Sequence, residues 1–147
     1  MGDEQRDRLC DALFVASRRA EVELHFNKGL AGAPPETLVA GRDTATNPAV
    51  LDAFALAIVA DGQGPAFPDT PGHEPNVTTG RASAANIHAS VNALQDLVPN
   101  GGAYVSESDY FQRNYADAYW GSNAARLATV KHRYDPYDLF SVHNGVT

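Results

Sequence analysis

The side chains best suited to chemistry crowd the last third of this chain. Residues 102–111 read Gly102-Ala103-Tyr104-Val105-Ser106-Glu107-Ser108-Asp109-Tyr110-Phe111. Tyr119-Trp120-Gly121-Ser122-Asn123, Arg126-Leu127, Lys131 and Tyr134-Asp135-Pro136 follow, and the chain closes on Leu139-Phe140-Ser141-Val142-His143-Asn144-Gly145-Val146. Carboxylates among aromatic rings can do acid–base work, because desolvation raises a carboxylate's pKa toward neutrality, where a proton acceptor is useful.

Other chemical signals are weaker. His25, His73, His88, His132 and His143 show none of the short spacings that metal sites use, so no metal is expected. His25 falls on the polar face of a strand, open either to solvent or to a substrate cavity. Gly29 and Gly32 follow that strand but lack the third glycine and long helix of a phosphate loop. No local signature suggests a Ser-His-Asp triad. Cys10 is the only cysteine, which excludes an intrachain disulfide, and beside Leu9 and Ala12 it reads as a buried, inert thiol.

Composition narrows the class. A chain of 147 residues, 44% hydrophobic and 20% charged, is about one globular domain. Its net charge of -7 argues against nucleic acid, which would need clustered Lys and Arg. No run approaches the roughly 20 apolar residues of a membrane span. Asp3, Glu4, Arg6, Asp7 and Arg8 are the opposite of a signal peptide, so a cytoplasmic location is the expectation.

The elements that must position these residues follow from periodicity. Leu9, Ala12, Leu13 and Ala16 make one apolar stripe of a helix over 3–19. Val22, Leu24 and Phe26 then alternate with polar residues, as on a strand buried on one face. A short helix is expected over 35–42, and Asn47-Pro48 reads as an N-cap with proline in the first helical position. Residues 53–59 alternate Phe54, Leu56 and Ile58 against alanines, giving a second strand. A Gly- and Pro-rich loop covers 61–75. Ala84, Ile87, Val91, Leu94 and Val98 mark a helix over 78–98. A third strand is expected at 103–105, helices at 109–119 and 121–133, and a turn at 136–140. The order implies an α+β fold, a sheet with helices on one face.

The order and spacing of the C-terminal motifs resemble the C-terminal segment of the berberine-bridge-enzyme-like FAD-linked oxidoreductases. The resemblance extends upstream through His25-Phe26-Asn27-Lys28-Gly29 and residues 43–51, Asp43 to Leu51, and is strongest after 102. It implies an antiparallel sheet backed by helices, a fragment of a two-domain flavoprotein. Residues 1–101 would be part of the substrate domain and 102–147 the berberine-like segment. By the same resemblance, Tyr104 contacts the flavin and Ser106 occupies a position where the family usually has asparagine. Glu107 stands where several members carry their base; read without the family, it is an acid near the start of a helix capped by Ser108 or Asp109. Asn144 lies in a tail that, in the family, returns to the FAD domain. Trp120, Gly121 and Asn123 read as structural: an anchor, a close approach and a helix cap.

The resemblance implies FAD as cofactor, a small-molecule substrate of alcohol type, and hydride transfer to flavin and then oxygen. Nothing in these 147 residues resembles the FAD-binding domain, so the expectation is a truncated or split gene product, inactive alone, that needs a separate FAD-binding domain. The alternative is a non-catalytic remnant that dimerises or binds a partner through an aromatic face including Tyr104, Tyr110, Phe111, Tyr119 and Trp120.

Overall fold

The computed structural model describes residues 2–27, 30 and 32–147. Lys28 and Gly29 of the upstream match, and Gly29 and Ala31 of the two-glycine segment, lie outside the described residues. The helices are α1 (Asp3–Ser17), α2 (Pro35–Arg42), α3 (Val77–Gln95), α4 (Tyr115–Trp120) and α5 (Ala124–Tyr134). The strands are β1 (Glu23–Phe26) and β2 (Ala55–Ile58), and 3₁₀ turns occupy Pro48–Leu51, Val105–Glu107 and Gly121–Asn123. This is a small α+β domain with an antiparallel sheet backed by helices. Its sheet pairs β1 with β2, and the Asn27 N–H donates to the Phe54 carbonyl at 2.7 Å just past the paired strands.

The chain divides into two compact units, residues 1–25 with 57–100 and residues 26–56 with 101–147. In the first, α1 packs on α3. The stripe read from sequence is the packed one: Leu9, Ala12 and Leu13 are half-buried and Ala16 is fully buried. Ala84, Ile87, Val91 and Leu94 of α3 are half-buried as well. At the closest approach Ser90 is fully buried and its hydroxyl donates to the Ala16 carbonyl at 2.9 Å. Two small residues let the backbones close, and the hydroxyl satisfies a polar group that would otherwise be costly to bury. α3 stops at Gln95, so Val98 is exposed and leaves the stripe. Cys10 is exposed, not buried. It lies next to Leu9 in sequence, about 100° around the helix and off the stripe.

The second unit is built around Tyr119 and Trp120, 3% and 8% exposed. Their rings meet edge-to-face at 5.7 Å, and Tyr115 adds a second edge contact to Trp120 at 6.3 Å. Both belong to the core and so leave the exposed aromatic face expected to include them.

Two elements differ from the expected pattern. Residues 103–105 form no strand, because the Ala103 N–H is taken by the carbonyl of Ala118 in α4, at 2.8 Å. No helix begins at 109 either. The Asp109 carboxylate accepts the Phe111 N–H at 2.8 Å, a local side-chain bond that competes with helix, and α4 starts only at Tyr115.

Candidate functional site

Gly101 and Gly102 lead the chain into the 3₁₀ turn Val105–Glu107, closed by the Glu107 N–H donating to the Tyr104 carbonyl at 3.1 Å. The Ser108 hydroxyl adds a bond to the Val105 carbonyl at 3.0 Å. One short turn therefore carries Tyr104, Ser106 and Glu107, all exposed. Glu107 makes no side-chain hydrogen bond or ion pair among the described residues. Since no helix starts at Ser108 or Asp109, the reading of Glu107 as an acid at a helix start does not hold.

Asn144 reaches the next stretch of the same segment. It sits in the left-handed region, φ 53°, within a turn closed by the Gly145 N–H on the Val142 carbonyl at 3.0 Å. Its amide donates to the Tyr110 carbonyl at 3.0 Å, and His143 Nε2 donates to that same oxygen at 2.7 Å. The His143 and Tyr110 rings stack, centroids 3.9 Å apart. Tyr119 donates its hydroxyl to the Asp109 carbonyl at 3.3 Å. These groups, with Val105 and Ser108, line a shallow cavity of about 190 Å³. Tyr104, Ser106 and Glu107 stand outside its lining.

Long-range asparagine contacts and a carboxylate knot add positioning that sequence reading did not supply. Asn47 caps its 3₁₀ turn as expected, its Oδ1 accepting from the Ala49 N–H at 3.0 Å. Its amide also donates to the carbonyls of Ala118, at 2.8 Å, and Asp117, at 3.2 Å. Asn123 does not cap α5. Its amide lies within 3.1 Å of the carbonyls of Arg42, Thr44 and Thr46, and so braces the 42–46 loop instead. Asn is a common turn and cap residue, and local spacing says nothing of carbonyls about 70–80 positions away.

The carboxylate knot lies at the end of α5. Asp135 and Pro136 stop the helix as read from sequence. The Asp135 carboxylate then receives the Leu139 N–H at 2.8 Å, the Phe140 N–H at 2.9 Å and the Lys131 ammonium. Lys131 also donates to Asp138 at 2.8 Å. The lysine, then the backbone N–H groups, hold the Asp135 carboxyl below its ordinary value of 3.8. The bonds to Asp135 and Asp138 hold Lys131 above its ordinary 10.5. Because the folded aspartate is depressed, its stabilisation is present above pH 3.8 and lost as pH falls through the folded value. Because the folded lysine is raised, its stabilisation is present below pH 10.5 and lost as pH rises through its own folded value. A carbon-13 NMR titration should thus place the Asp135 carboxyl midpoint below 3.8, with the Leu139 and Phe140 amide signals moving in step. A midpoint at or above 3.8 contradicts the assignment.

Residues 103–147 match the family model "Berberine and berberine like". An FAD-linked oxidoreductase of Gibberella zeae, ZEB1, is 43% identical over 53 residues, 36% of this chain and 9% of the relative. Another, OXR2 of Pyricularia oryzae, is 47% identical over 60 residues, 40% of this chain and 10% of the relative. The crystal structure of the VAO-type flavoprotein MtVAO713 from Myceliophthora thermophila superimposes with a TM-score of 0.70 at 22% identity. That match covers 95% of this chain and 23% of the flavoprotein. A small α+β unit with this C-terminal segment is a piece of a larger flavoprotein's architecture. Residues 103–147 carry the berberine-like segment of the BBE/VAO-type FAD-linked oxidoreductases, and the rest of the chain has the fold of part of such a flavoprotein. The chain spans about a tenth of the length of the curated relatives it matches.

Proposed function

We propose that this chain supplies the C-terminal, substrate-side part of an FAD-dependent oxidoreductase that acts on an alcohol-type small molecule. Residues 1–101 would be part of the substrate domain and 102–147 the berberine-like segment. The observation that carries the reading is the exposed apolar surface of that segment: Tyr104, Tyr110, Phe111, Tyr137, Leu139 and Phe140 all face outward. A surface this apolar is made to be covered.

The residues fit one part of FAD. Tyr104 is 51% exposed and shares a turn with the Ser106 hydroxyl and the Glu107 carboxylate, so a ring laid on the turn would meet an aromatic face, a hydroxyl and an acid together. Ser106 reaches less far than the asparagine usual there and offers no amide donor. Contacts to adenine and diphosphate would come from a segment outside these 147 residues, in the same longer chain or in a partner. When bound, the flavin supplies a hydride acceptor that oxygen reoxidises. Tyr104 and Ser106 would orient the ring, Asn144 would hold the tail against it, and Glu107 would take the substrate hydroxyl proton as its C–H hydrogen leaves as hydride. Covering the turn would desolvate Glu107 and make it a better base. A cytoplasmic setting completes the reading.

The test is to purify the chain alone and together with the FAD-binding domain of a related flavoprotein. Alone it should hold no stoichiometric flavin and, with its apolar face bare, light scattering should show a dimer or larger species. Together the two should form a complex with one flavin. One flavin per chain in the lone preparation would overturn the division of labour. A lone chain that dimerises yet ignores the FAD-binding domain would favour a non-catalytic remnant.

A further inference from the structure

Residues 137–142 follow a defined course with almost no burial to fix it. Tyr137, Leu139, Phe140 and Val142 are 72–84% exposed. Hydrophobic packing within the chain therefore does not set where this tail runs, and polar contacts must. Two sets do so, one at each end of a short stretch. At the start, Asp135 binds the Leu139 and Phe140 N–H groups and is itself held by Lys131, whose side chain is 16% exposed against 8% for Asp135. At the end, His143 and Asn144 converge on the Tyr110 carbonyl.

We propose that Asp135, held by Lys131, is a positioning residue that sets where His143 and Asn144 stand against Tyr110. Only Ser141 and Val142 separate Phe140 from His143. The three steps from Phe140 to His143 span at most about 11 Å, so little slack remains to absorb a shift of Phe140. The turn also carries a conformational cost that the knot offsets. Asp138 adopts φ 51°, uncommon for a residue other than glycine, and its carboxylate shares the Lys131 ammonium. Lys131 thus ties the end of α5, the carboxylate that fixes the tail's entry, and the strained residue between them. The value of this placement to catalysis rests on the reading of Asn144 as a cofactor contact; the placement itself does not.

NMR on the intact chain, without flavin, tests it. Three signals are followed: exchange of the Leu139 and Phe140 amides, the His143 ring protons shifted by stacking on Tyr110, and α3 amides as a control. Asp135→Asn removes the charge and part of the accepting capacity, so exchange at 139 and 140 should quicken roughly tenfold or more. The His143 signals should move at least halfway to those of free histidine while α3 stays protected. Lys131→Gln should shift both tail readings in the same direction by less, and Lys131→Arg, which keeps the cation, should restore them. If the 139 and 140 amides open while His143 keeps its parent shifts, the knot is local and the proposal fails. Unchanged exchange also defeats it. Should Asp135→Asn expose the α3 amides, Lys131→Gln decides on the same readings, since it keeps the carboxylate and both backbone bonds. A chain that never binds flavin leaves these results standing, so failure of the functional reading is separable from failure of this one.

Discussion

Glu107→Gln, in the chain joined to an FAD-binding domain, should slow anaerobic flavin reduction by an alcohol substrate roughly 100-fold or more. Flavin content should stay at the parent level. The glutamine keeps the shape and most of the hydrogen-bonding capacity of the acid but cannot accept the hydroxyl proton. The turn that carries it should survive, because the turn is closed through the Glu107 backbone N–H and the Ser108 hydroxyl. The Glu107 side chain supports no other described residue, so a large rate effect cannot come from local unfolding. Tyr104→Ala is the companion: on the proposed reading it removes a ring set against the cofactor, so it should change the flavin spectrum, with a smaller effect on rate. Single-turnover reduction isolates the step from reoxidation by oxygen. A Glu107→Gln enzyme that reduces its flavin at the parent rate would show that the base lies elsewhere.

What could be read from sequence was what is local and periodic. The α1 and α3 stripes are written in three-and-four spacing, and both strands fall where alternation puts them, though Phe26, expected on the buried face, is exposed. The stop at Asp135-Pro136 is stereochemical and needs no partner. The misses have different causes, a distant carbonyl in one case and a local side-chain bond in another. Residues 103–105 look like a strand until the Ala118 carbonyl takes the Ala103 N–H. Residues 109–114 look helical until the Asp109 side chain satisfies the Phe111 N–H. Tyr119 and Trp120 belong to the aromatic face of the alternative reading, yet both lie in the core, where Trp120 is the anchor expected from sequence. On the site side, the resemblance implies Tyr104, Ser106 and Glu107, and what geometry adds is that one turn presents all three. The stacking of His143 on Tyr110 had no sequence signal, because 33 residues separate the partners.

The largest stability effect is expected where Asn47 is boxed in by two glycines. Gly121 has φ 51° and ψ -130°, a backbone conformation that favours glycine, and a methyl group there would lie 2.8 Å from the Asn47 side-chain oxygen. Gly102 is as tight: its methyl would meet the Asn47 amide nitrogen at 2.6 Å. Asn47 cannot yield freely, since it bonds the Ala49 N–H and the Ala118 and Asp117 carbonyls. Gly121→Ala must therefore strain the backbone, or break those bonds, or both. Its expected cost is about 2–4 kcal/mol in urea denaturation, a severe loss for a domain of ordinary stability. Asn47→Ala alone should cost about 1–3 kcal/mol, since it removes the bonds without the clash. The double variant separates the two mechanisms. If the clash with Asn47 dominates, Gly121→Ala should cost at least about 1 kcal/mol less in the Asn47→Ala background than in the parent. If the two costs simply add, the asparagine is not what forbids a side chain at 121, and the positive φ of Gly121 alone accounts for the loss.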